Sequence, residues 1–135
     1  MNTVLYPIVV MLFLPLLVIV ATFRSRVLEM KLKKVHPQAI ANRSEALEKL
    51  KNTNAADNLL NLFETPVIFY VIGILFFVLK NESQLTIILM WIYVAARYAH
   101  SFIQCTYNKV MHRFYAFATS LTVLVLLLIN LLRAI

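Results

Sequence analysis

Residues 59–79 read LLNLFETPVIFYVIGILFFVL, and Asn61, Glu64 and Thr65 are the main polar interruptions. A helix that crosses the hydrocarbon core of a bilayer needs about 20 mostly apolar residues, and this run supplies them. Three other runs do the same. Residues 1–23 carry no charge and are closed by Arg24 and Arg26. Residues 85–107 begin apolar and carry Arg97, His100 and Gln104 further on. Residues 114–132 are almost purely aliphatic and stop at Arg133. Only helices and closed barrels satisfy their backbone inside lipid. Barrel strands alternate polar and apolar residues, whereas these runs are continuous. The expected fold is therefore an all-α integral membrane protein: one domain over 1–135, with helices over about 3–23, 59–79, 85–107 and 114–133 and a basic loop over 24–58.

The composition excludes the main rivals. Hydrophobic residues make up 61% and charged residues 14%, too few polar groups to cover a soluble domain. One glycine rules out phosphate-cradling loops, and one cysteine rules out an intrachain disulfide framework. The first run lacks a basic leader and its charges follow the apolar stretch, so a retained helix is expected rather than a signal peptide.

Charge gives the orientation. Eight of the 13 basic residues lie between Arg24 and Lys51, and basic residues stay cytoplasmic. The first and third loops are thus expected inside and both termini outside. The short chain fits a bacterial inner membrane. No aromatic residues are interleaved with the basic ones, so the net charge of +7 reflects topology and anionic lipid rather than nucleic acid. His36-Pro37 punctuates the first loop. Good helix formers follow it, so helix two is expected to start before the membrane, near Ser44 to Asn54.

Ionisable groups at membrane depth cost about 2.5–3.5 kcal/mol each on insertion scales and are functional candidates by default. Arg97, His100 and Gln104 share one stripe of helix three with Tyr93, Tyr107 and Asn108. Asn54, Asp57, Asn61 and Glu64 share one stripe of helix two. Glu64 is expected to meet Arg97 or His100, with a kink at Pro66. One reading is a structural ion pair between helices two and three. The other is an anion site, because Arg24, Arg97, His100 and Arg113 outnumber Glu64 and Asp57. No residues have metal-ligand spacing, and His36 and His112 read as interfacial. Cys105 reads as a packing residue and Gly73 as a site of helix packing or lipid contact. No nucleophile elbow is present.

Phe23-Arg24-Ser25-Arg26, Asn61-Leu62-Phe63-Glu64-Thr65-Pro66 and Ala96-Arg97-Tyr98-Ala99-His100, with Arg113 thirteen residues after His100, resemble the MAPEG family. These are the membrane-associated proteins in eicosanoid and glutathione metabolism. The resemblance spans nearly the whole chain. It implies a homotrimer with sites between subunits, in which bound glutathione presents its thiolate to a lipophilic electrophile. By position it implies that Arg24, Asn61, Glu64, Arg97 and His100 line the glutathione site and that Arg113 stabilises the thiolate. Two positions depart from many catalytic members: Asp57 stands where they carry arginine, and Gln104 where they carry tyrosine. The register Asn54-Ala55-Ala56-Asp57 is an alternative to Asn61 and Glu64, but Leu50 precedes it and does not restore the arginine. The leading expectation is a glutathione-dependent transferase or peroxidase. The alternative is a non-enzymatic protein of the same fold that binds a lipid or amphiphile. A small transporter is a third reading, but neither inverted repeats nor broken helices are evident.

Overall fold

The computed structural model describes residues 3–134, the side chain of Arg43 apart. Its helices are α1 (Leu5–Lys33), α2 (Arg43–Lys49), α3 (Asn54–Asn61), α4 (Thr65–Val78), α5 (Gln84–Cys105) and α6 (Val110–Ala134), with a 3₁₀ turn at Pro37–Ile40. Four segments are long and apolar enough to cross a membrane: Leu5–Lys33, Asn54–Val78, Gln84–Cys105 and Val110–Ala134. The fold is the all-helical, four-span membrane architecture read from the sequence.

The helix bounds extend past the apolar runs. α1 does not stop at residue 23 but continues to Lys33, because Arg24–Lys33 is built from good helix formers. Its 29 residues reach about 44 Å at about 1.5 Å each, against about 30 Å of hydrocarbon. Lys34 ends the helix in the left-handed region at φ 54°. There Val35 N–H bonds Met30 C=O at 3.0 Å, the usual wrap of a left-handed helix end. The stretch 24–58 is thus not one loop. Its middle folds back on the projecting end of α1. The Glu29 carboxylate accepts from Lys51 N–H (2.7 Å) and Asn52 N–H (3.1 Å) and pairs with Lys33, whose Nζ donates to Lys49 C=O at 2.9 Å.

The second span starts at Asn54, ahead of its apolar run, and is broken rather than kinked. Pro66 has no N–H to donate to the carbonyl of Leu62, and its ring crowds that carbonyl, so one helix cannot run on through 62–66. The chain leaves helical geometry at Glu64 (φ −97°, ψ −96°) and restarts with Pro66 in the first turn, where its missing N–H costs nothing. The sequence showed no broken helix; the structure has one.

The core follows helical spacing. Val4, Ile8, Met11, Leu14 and Val18 form the inner stripe of α1 and its approach. They pack with Phe69, Ile72 and Phe76 of α4, with Met90, Tyr93 and Val94 of α5, and with the inner face of α6. Phe69 stacks on Tyr93 with ring centroids 4.4 Å apart. Gly73 serves helix packing. A Cβ there would meet Ile8 Cδ1 at 2.7 Å and Met90 Cε at 3.1 Å, so the glycine lets α4 approach α1 and α5 closely.

Pro15 lies inside α1 and cannot donate to the carbonyl of Met11 four residues earlier. Tyr70 of α4 supplies the missing donor: its hydroxyl lies 3.1 Å from Met11 O. Tyr98 of α5 donates to the neighbouring Val10 carbonyl at 2.8 Å. A proline that frees a carbonyl in lipid is tolerated because two other spans satisfy the backbone there.

Candidate functional site

One wall of the site comes from the broken second span. Asn54, Asp57 and Asn61 recur at three- and four-residue spacing along α3, and Glu64 sits on the break that follows. α5 supplies the second wall through His100 and Gln104. The third wall is Arg113 with Phe114 and Phe117 of α6. Together they enclose an open pocket of about 550 Å³. Four residues expected from the sequence, Asn61, Glu64, His100 and Arg113, line it together. Asn54 and Asp57 of the alternative register line it too.

Arg97 is fully buried and does not face this opening. The break explains its position. At the break the carbonyl of Asn61 accepts a long bond from Glu64 N–H (3.4 Å) in place of the helical one from Thr65, and Arg97 Nη2 donates to it at 3.1 Å. The guanidinium lies 5.8 Å from the centre of the Phe117 ring. Among the described residues its Nε and Nη1 have no hydrogen-bond partner, and neither do the nearby buried Tyr93 and Thr65 hydroxyls.

The expected ion pair of Glu64 with Arg97 or His100 does not form. Among the described residues the one ion pair is Glu29 with Lys33. Glu64 leaves the helical stripe at the break and stays exposed, near enough to Arg97 for their charges to interact but not in contact. Arg24 is not part of the pocket within one chain. It lies on the outer face of α1 beside Phe23, Val27, Leu28 and Lys31.

Hydrogen bonds make the rim one unit. His100 Nδ1 lies 3.1 Å from the Arg113 carbonyl, and its Nε2 lies 3.0 Å from Gln104 Oε1. Asn61 Nδ2 donates to the same Gln104 oxygen at 3.3 Å. Gln104 therefore joins the second and third spans. Asn108 does the same for the third wall. It takes the left-handed region at φ 46°, which asparagine tolerates. Its Oδ1 accepts from Arg113 Nη1 at 3.0 Å, and its Nδ2 donates to Asn54 Oδ1 at 2.9 Å.

Beneath the rim, Asn58 is fully buried and accepts from Ser101 Oγ at 3.2 Å. The sequence reading passed over both residues. The signal was available, since Asn58 stands four residues after Asn54 and three before Asn61. The aromatic lining from Phe114 and Phe117 was also missed, because these residues read as part of an aliphatic span. Tyr107 falls outside the pocket. Its hydroxyl lies 3.1 Å from His112 Nδ1 at the exposed α5–α6 connection.

A family model described as MAPEG family matches residues 4–133. The chain belongs to the MAPEG family. It is a multi-pass integral membrane protein of the type that serves glutathione and eicosanoid metabolism. Searches of the curated proteins and of the solved structures found no match. In this MAPEG protein the pocket sits at the end of the bundle that carries the basic segment and the α5–α6 connection.

Proposed function

We propose that this MAPEG protein is a glutathione-dependent transferase or peroxidase for lipophilic substrates, acting as a homotrimer in a bacterial inner membrane with both termini outside the cytoplasm. The observation that carries the reading is the convergence of Asn61, Glu64, His100 and Arg113 on one pocket that also has an aromatic wall. Each residue suits a part of the tripeptide. Glu64 takes the α-ammonium group. Asn61 and His100 hold polar atoms of the γ-glutamyl end, and Arg97 acts from behind by fixing the Asn61 backbone. Arg113, steadied by Asn108, stands where a thiolate needs a cation. A neighbouring positive charge lowers a thiol pKa and raises the nucleophilic fraction. Arg24, on the outer face of α1, serves the pocket of a neighbouring subunit, where it meets a carboxylate as a bidentate partner.

Two reactions follow. In conjugation the thiolate sulfur attacks an electrophilic carbon, a C–S bond forms, and the leaving group departs with its electron pair. In peroxide reduction the thiolate attacks one peroxide oxygen and the alkoxide leaves and is protonated. A second glutathione then displaces water from the sulfenic acid, giving glutathione disulfide. Phe114 and Phe117 give the acyl part of a lipid hydroperoxide an apolar approach.

The test is turnover by detergent-purified protein with glutathione, using common aryl-halide and enone electrophiles and lipid hydroperoxides. Activity that Arg113→Ala removes supports the reading. Absence of any glutathione-dependent turnover contradicts it and favours the second reading, a binder that holds an amphiphile without chemistry. Asp57 motivates that alternative, because it sets a negative charge in the pocket of a proposed anionic ligand.

A further inference from the structure

A second crevice lies between α1, α3 and the segment that folds back on α1. Thr22, Arg26, Ile40, Ala46, Ala56 and Leu59 line it, and its volume is about 280 Å³. Its lining and that of the larger pocket have one residue in common, Leu60. The walls are mostly apolar, and the Thr22 hydroxyl is spent on the Val18 carbonyl at 2.8 Å. The charge in the crevice is that of Arg26.

Arg26 is half-buried and lacks a counter-charge. Lys33 and Lys49 nearby are engaged: Lys33 pairs with Glu29, and Lys49 Nζ donates to Ala39 C=O at 2.8 Å. Among the described residues Arg26 forms no ion pair. Asp57 shares a narrower crevice with it, but not at ion-pair distance, and the Asp57 carboxylate accepts from the Thr53 hydroxyl at 2.8 Å. A guanidinium keeps its charge and offers five N–H donors, so this one calls for an anionic acceptor.

Depth in the bilayer says which anion reaches it. Thr22 is one residue short of the end of the uncharged first run, and Leu59 opens the apolar run of the second span. The floor of the crevice thus lies at the edge of the hydrocarbon. Arg26 stands four residues beyond Thr22 on α1, roughly 6 Å further along the axis. Headgroups occupy about 5–8 Å on each side of the hydrocarbon core. The guanidinium is therefore level with lipid phosphates, and apolar walls lead from it down to acyl-chain depth. Residues 24–58 carry eight basic and four acidic side chains, a field that favours anionic over zwitterionic headgroups.

We infer that this crevice binds an anionic glycerophospholipid, with its phosphate on Arg26 and the upper part of an acyl chain against Ile40, Ala46, Ala56 and Leu59. A guanidinium can meet two phosphate oxygens at once. This lipid is a bound ligand apart from any substrate of the larger pocket, and its site stands independently of the glutathione reading.

The experiment is native mass spectrometry of the full-length protein in neutral detergent, with an equimolar mixture of phosphatidylglycerol, phosphatidylcholine of the same chains, and oleate. Wild type is expected to retain one phosphatidylglycerol per chain, about fivefold in preference to phosphatidylcholine and ahead of oleate. Arg26→Gln is expected to bring the two phospholipids near parity. Lys31→Gln, which removes an exposed charge outside the crevice, is expected to keep the preference. Ala41→Phe fills the crevice from an exposed position without changing charge, and is expected to lose the lipid; it decides the matter should Arg26→Gln fail to fold. Equal losses in Arg26→Gln and Lys31→Gln would overturn the inference in favour of diffuse charge. Retention of oleate in place of phosphatidylglycerol, no preference in wild type, or an unchanged preference in Ala41→Phe would overturn it as well.

Discussion

Gln104 Oε1 lies 3.0 Å from His100 Nε2, and on its other side it accepts from Asn61. His100 Nδ1 faces a backbone carbonyl, which can only accept, so Nδ1 carries a proton. The glutamine amide then works in either sense, accepting from a protonated Nε2 or turning its NH₂ toward a bare one. Gln104 thus holds the imidazole and the Asn61 carboxamide in one arrangement. Gln104→Leu strands both groups inside the bundle, and leaving a buried polar group unpaired costs about 1–3 kcal/mol. We expect a lower melting temperature in detergent and about tenfold weaker glutathione binding, while Gln104→Glu, which keeps an acceptor, loses less.

The pairing of Tyr70 with Pro15 makes a sharper prediction about stability. Tyr70→Phe removes the donor to Met11 C=O and should cost about 1 kcal/mol. In a Pro15→Ala background the helix regains its own N–H, so the same substitution should cost much less. Thermal unfolding of the four proteins in one detergent gives the coupling directly. Equal losses in both backgrounds would show that Tyr70 does not serve the carbonyl that Pro15 frees.

Arg97 separates stability from function. A buried guanidinium with two nitrogens unpartnered is costly, and well-packed apolar replacements of buried charges are often neutral or stabilising by about 1–4 kcal/mol. Arg97→Met is expected to melt at or above the wild-type temperature while weakening glutathione binding through Asn61 and Glu64. A variant that both unfolds and loses binding would make Arg97 a structural residue instead.

Glu29 lies beyond the apolar run that ends at Phe23, and its contacts set a pH dependence. The hydrogen bond with Lys33 comes first, followed by the Lys51 and Asn52 amides, and they hold its carboxyl below the ordinary 4.5. A lowered acid pKa contributes stability that is present above the unfolded value and fades as pH falls through the folded value. Amide exchange at Lys51 and Asn52 should therefore accelerate in acid below the ordinary carboxylate range, beyond the trend of exposed amides. Glu29→Gln should show fast exchange at neutral pH already and no further acid step.

The spans were legible because hydropathy records what touches lipid, and residues 59–79 and 114–132 do so along most of their length. Their ends were less legible. Arg24–Lys33 is polar yet remains helical, since helix propensity and the Glu29–Lys33 pair act where hydropathy says nothing. Stripe spacing put Asn61 with Glu64 and His100 with Gln104, while Arg113 entered through the count of cations and the family resemblance; the pocket lining holds all five. The same spacing misjudged Glu64 and Arg97, because it assumes a continuous helix. Pro66 signalled a disturbance, but the Asn61 carbonyl, left with a long bond from Glu64 N–H and open to Arg97, exists only once the break is seen. Gln104 read as a loss because its value lies in a contact across to another span.

The most direct test of the central claim is a titration of glutathione into purified protein, following heat and the ultraviolet absorbance of the thiolate, with wild type beside Arg113→Ala. The account predicts saturable binding and a thiolate signal at neutral pH in wild type, and binding without thiolate formation in Arg113→Ala. No heat and no thiolate at millimolar glutathione, in a wild-type protein shown to be folded, would contradict it.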